Sequence, residues 1–201
     1  MTDAVQDSAI PSEPDVRKAR VLSLVVVGML LAYAASRVLV LALGASAGGG
    51  LGAALDGDMP AVAAGLLSLG AYLALMLWLG HTYALAKGLR RDQLRASPTA
   101  VMISLWVPLL GGVLALFWLS GIARVVEPGR ARGHAWGAAF AVGFLAVGAG
   151  TLLGNAVAET AAIAWALVAI GTVVHFRDAL AARAAALRAQ AYEASGVAPR
   201  P

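Results

Sequence analysis

The chain has 201 residues, 60% of them hydrophobic and only 13% charged, with a net charge of +4 and no cysteine. Ordinary globular domains carry about 25% charged residues, so this composition excludes a typical soluble fold, and the missing thiols exclude disulfides, thiolate metal sites and cysteine nucleophiles. A pI near 10.0 points to nucleic acid in a soluble protein, but here the bases flank apolar segments, which favours a bilayer with anionic headgroups as the partner and no nucleic acid.

Residues 1–20 hold Pro11, Pro14, four acids and three bases with little to bury, so a disordered cytoplasmic tail is expected. Five apolar stretches follow, at 21–43, 61–86, 101–123, 135–153 and 156–175. About 20 helical residues cover a hydrocarbon core of roughly 30 Å, so each is long enough to cross. The first is followed by Ala45-Ser46-Ala47, which looks like a signal-cleavage site. Signal-peptide cores are shorter than this stretch, and Arg37 interrupts it, so an uncleaved anchor is expected.

The bases decide how many stretches span. Five spans divide them seven and seven between the two faces. If 101–123 instead enters and leaves on one side, fourteen share a face, none lies on the other, and Arg37 alone sits inside a helix. Short basic loops stay in the cytoplasm. The expected fold is therefore an all-α integral membrane protein with four transmembrane helices plus a Pro/Gly-broken re-entrant or interfacial hairpin, the alternative being five spanning helices. The break falls at Pro108, Gly111 and Gly112, since proline lacks an amide hydrogen and glycine adopts angles closed to other residues. One domain then covers 21–176, and an Ala/Arg-rich tail, helical and then disordered, covers 177–201.

The last two stretches read as a tight helical hairpin turning at Gly154-Asn155. Gly143, Gly150 and Gly154 share one helix face with Trp136, Phe140 and Val147, and small residues in such a seam let helix backbones approach closely. Packing within the chain and homo-oligomerisation both fit that seam.

The segment from Trp78 to Arg124 resembles the bacterial membrane family called domain of unknown function 4328. The likeness rests on Trp78, the basic link Lys87-Gly88-Leu89-Arg90-Arg91, Ser97-Pro98, and Trp106-Val107-Pro108. It departs after the last proline, where Gly111-Gly112 and an apolar run replace an asparagine and a further proline. The resemblance implies a multi-helix bacterial membrane protein and brings no activity or catalytic residue. Arginine outnumbers lysine 13 to 2, as expected of a GC-rich bacterial genome, and the expected location is the bacterial plasma membrane with both termini cytoplasmic.

Arg37 is the costliest residue to place, because charges near a bilayer centre are expensive and are a default functional hypothesis. It shares a face with Tyr33 and Ser36, and both Arg37 and Glu159 fall toward the outer surface. Two readings follow: an intramembrane ion pair between them, or an Arg37 that snorkels outward while Glu159 caps its helix. His81, His134 and His175 gather near the opposite boundary without metal-ligand spacing, so no metal or cofactor is expected. Asp56 and Asp58 read as solvated loop acids. No phosphate loop, metalloprotease helix or nucleophile elbow is present. The leading functional reading is a non-enzymatic helix-packing or interaction subunit with a basic cytoplasmic face. The second is a small transporter or channel using the broken segment 106–112.

Overall fold

The computed structural model describes residues 10–43, 59–90, 92–105 and 110–195. Those residues form six helices, α1 (Glu13–Leu43), α2 (Met59–Leu89), α3 (Pro98–Ser104), α4 (Leu110–Val126), α5 (Ala131–Leu153) and α6 (Asn155–Ser195), with no strand among them. Helices α1, α2, α5 and α6 are each long and apolar enough to cross a membrane, and α4 is a shorter apolar helix. Their outer surfaces carry large apolar side chains such as Leu66, Phe117 and Leu152. Helices apolar all round are stable where lipid replaces water around them.

Local chemistry sets the element ends. At the start of α1 the Ser12 hydroxyl accepts from the Asp15 amide at 3.4 Å while the Asp15 carboxylate accepts from the Ser12 amide at 3.3 Å, a reciprocal cap that satisfies two orphan donors. Residues 13–20, expected to be a disordered tail, are therefore helical. Ser97 caps α3 by accepting from the Ala100 amide at 3.1 Å, with Pro98 in the first turn. Between α4 and α5, Pro128 and Gly129 form a tight turn closed by the Arg130 amide on the Glu127 carbonyl at 3.1 Å. Gly129 has φ +78° there, the angle that the third residue of such a turn requires.

The helices pack in a ring: α2 against α1, α1 against α6, α6 against α5, α5 against α4, with α3 and α4 returning to α2. The α3–α4 unit is a re-entrant hairpin. It starts beside the end of α2, where Lys87 Nζ donates to the Ala96 carbonyl at 2.8 Å. It climbs α2 until the Leu105 carbonyl accepts from the Tyr72 hydroxyl, then descends so that the turn after α4 brings Glu127 to His175 of α6. Leu105 thus lies roughly 25 Å above the end of α2, the helical rise from residue 72 to 89.

Helix α3 ends at Ser104 and α4 begins at Leu110; residues 106–109, with the expected break residue Pro108 among them, lie outside the described residues. Gly111 and Gly112 are not in the break, as expected from sequence, but in the first turn of α4. A Cβ on Gly111 would sit 3.0 Å from the Leu105 carbonyl oxygen, and one on Gly112 would sit 2.8 Å from the Phe144 ring. Their missing side chains let the two arms, and α4 and α5, close on each other.

At the far end Gly150 packs on α6, its position for a Cβ only 3.0 Å from the Ala158 Cα, and Gly143 meets Trp165 at 2.9 Å. Gly154 does not join that seam: nothing lies within 4 Å of its Cβ position, and its φ of +115° serves the turn into α6. Helix α6 runs on to Ser195, and its segment around Leu180 and Ala184 is buried rather than exposed, because the helical extension of α1 lies along it. Arg188 Nη2 donates to the Pro11 carbonyl at 3.2 Å.

Candidate functional site

One end of the bundle gathers the starts of α1 and α5, the ends of α2, α4 and α6, and both feet of the hairpin. Every described Lys and Arg except Arg37 belongs to those segments. The opposite half holds a largely buried ion pair. Arg37 Nη1 donates to Glu159 Oε1 at 3.0 Å, with side-chain exposures of 14% and 4%. Of the two readings, the pair forms. Its other supports come from neighbouring helices: Arg37 Nη2 donates to the Ser68 hydroxyl on α2, that hydroxyl donates to the Ala64 carbonyl at 2.6 Å, and the guanidinium carbon lies 5.1 Å from the centre of the Tyr33 ring. A buried charge is tolerable only when paired and further hydrogen-bonded, and the aromatic face adds a cation–π contribution. Two atoms of the cluster, Arg37 Nε and Glu159 Oε2, are buried with no hydrogen-bond partner.

Tyr33 and Ser68 belong at once to this cluster and to the wall of a cavity of about 460 Å³. The cavity is also lined by Leu69 and Tyr72 of α2, Phe144, Leu145 and Gly148 of α5, and Trp165 of α6. Its back is aromatic. Trp165 meets Tyr33 edge-on at 6.3 Å between ring centroids, and Phe140 and Phe144 at 5.6 and 5.9 Å. Tyr72 and Phe144 reach across the gap between α2 and α5, centroids 6.4 Å apart. Below them the core closes, leaving about 20 Å³ among Leu79, Leu105, Leu119 and Phe140.

A second polar contact anchors the hairpin at the basic end. His175 Nε2 and Glu127 Oε2 are 2.9 Å apart, both side chains 11% exposed. The imidazole stacks on Trp136 with centroids 6.1 Å apart, and the six-membered edge of that indole occupies the space a Cβ would need at Gly171. Sequence reasoning singled out neither Glu127, whose partner lies 48 residues away, nor Ser68. The three histidines do not converge. Among the described residues no three His, Cys, Asp or Glu side chains are grouped to hold a metal ion, and Asp56 and Asp58 lie outside those residues.

The fold and this site define an all-helical, multi-pass membrane protein with four candidate spans. No protein family, curated protein or solved structure matches the chain.

Proposed function

We propose that the chain is a non-enzymatic interaction subunit of the bacterial plasma membrane, both termini and the basic end facing the cytoplasm. The observation that carries this reading is the charge asymmetry of the bundle, with every described base but Arg37 at one end. Short basic segments are retained in the cytoplasm, and the leaflet they face is rich in anionic lipid. Beyond the bundle at that end, α1 and α6 continue as a paired helical arm edged by Arg17, Arg20 and Arg188, a surface suited to anionic headgroups or an acidic partner. A role as a member of the family called domain of unknown function 4328 is compatible with a basic link between α2 and α3.

The packing of the hairpin supports this reading over a transporter or channel. Gly111 and Gly112 are buried against Leu105 and Phe144, so the start of α4 faces protein rather than a water-filled path. The test is a topology reporter fused after Glu127, joined to a flux assay. A cytoplasmic signal with no ion or solute flux in liposomes is expected. A periplasmic signal overturns the orientation, and flux that Gly112→Leu abolishes overturns the interaction reading.

A further inference from the structure

The cavity beside Arg37 has a structural cause. In the basic half of the bundle the hairpin stands between α2 and α5; beyond the level of Leu105 the backbones of the two helices stay apart among the described residues, and Tyr72 and Phe144 reach across the gap. A fifth span would fill that column. The re-entrant hairpin vacates its upper part and leaves a cleft that opens sideways past Leu69 and Leu145, whose side chains are exposed at the mouth.

That mouth lies within the spans of α2 and α5, so the medium outside it is hydrocarbon. Most polar groups of the wall are engaged already, the Ser68 hydroxyl with Arg37 and Ala64 and the Tyr72 hydroxyl with Leu105, and the buried indole Nε1 of Trp165, which has no partner, is one donor where an ordered water needs several partners. An empty apolar void forfeits the dispersion contacts of its lining. The volume, about 460 Å³, falls in the range of sites that enclose a small ligand.

We propose that this cleft is a lipid site, holding one hydrocarbon chain of a bilayer phospholipid from the leaflet opposite the basic end, its terminus toward Tyr72. The chain completes the helix ring where protein is missing and packs on the Tyr33–Trp165–Phe144 wall. It is thereby in contact with the two residues that join the tip to its neighbours: Tyr72 through Leu105, and Phe144 through Gly112.

The full chain is reconstituted in phosphatidylcholine vesicles containing a phosphatidylcholine with a photoactivatable diazirine in mid-chain, irradiated, and mapped by peptide mass spectrometry. Ala71 and Trp165 decide the outcome, since both are almost wholly buried and border the cleft, whereas Leu66 and Val142 report ordinary lipid contact on the outside. Adducts on Ala71 and Trp165 in the wild type, lost in Gly148→Phe and Leu69→Trp while Leu66 and Val142 stay labelled, are expected. Adducts confined to the outer residues overturn the proposal and mean that protein, from the same chain or a second copy of it, covers the cleft. Inner adducts that survive in the filled variants also overturn it. The wild-type map decides alone if either variant fails to fold.

Discussion

Arg37 on α1 and Glu159 on α6, 122 residues apart in sequence, meet at 3.0 Å in the half of the bundle that holds no other described base. With Ser68 of α2 on the second guanidinium nitrogen, the pair ties three of the four candidate spans together at one level. Sequence-distant helices gain a fixed rotation and register from such a contact, because sliding either one strands a charge in hydrocarbon.

Removing one partner should cost far more than removing both. Arg37→Ala and Glu159→Ala are each expected to lose about 3–5 kcal/mol, the usual cost of an uncompensated buried charge. The double variant should lose clearly less than the sum. Unfolding in detergent measures the cycle, and strictly additive losses would show that the two side chains do not interact.

The glycines separate into classes that stability measurements can check. Gly150→Leu forces side-chain atoms into the Ala158 backbone of α6 and should cost about 1–3 kcal/mol through overpacking. Gly28 on α1 has nothing within 4 Å of its Cβ position, so Gly28→Ala should be neutral or add roughly 0.5–1 kcal/mol of helix stability. Equal melting shifts for the two would contradict the packing described.

His175 holds the descending arm of the hairpin through Glu127. His175→Ala leaves a carboxylate at 11% exposure without that contact, a loss of about 1–3 kcal/mol. Hydrogen exchange should rise across 110–126 while α1 stays protected. Uniform acceleration through all helices would instead mean a global effect.

Tyr72→Phe removes the donor to the Leu105 carbonyl and should destabilise the hairpin tip by roughly 1 kcal/mol. Exchange of the amides at 101–105 is the readout. Ser12→Ala is the matching test at the start of α1, where loss of the reciprocal cap, worth about 1 kcal/mol, should fray residues 13–20 and loosen Arg188 from Pro11.

Much of this architecture could be read from local chemistry. Long apolar runs bounded by bases require membrane helices, since an unpaired backbone cannot be left in hydrocarbon, and the uneven placement of fourteen bases favoured a turning-back of 101–123 over a fifth span. Gly154-Asn155 marked a turn through backbone preferences that need no partner. Arg37 stood out because a lone charge in such a run must be compensated somewhere. Which group compensates it was beyond the sequence. Tyr33 lies one turn away on the same helix, but Glu159 and Ser68 reach Arg37 only through the relative rotation and depth of three helices, which apolar surfaces without a distinct polar face do not encode. The same holds for Glu127 with His175 and for the burial of Ala184 against α1. The cleft between α2 and α5 is tertiary in the fullest sense: it is the space left when a hairpin of fixed length ends before the helices beside it do.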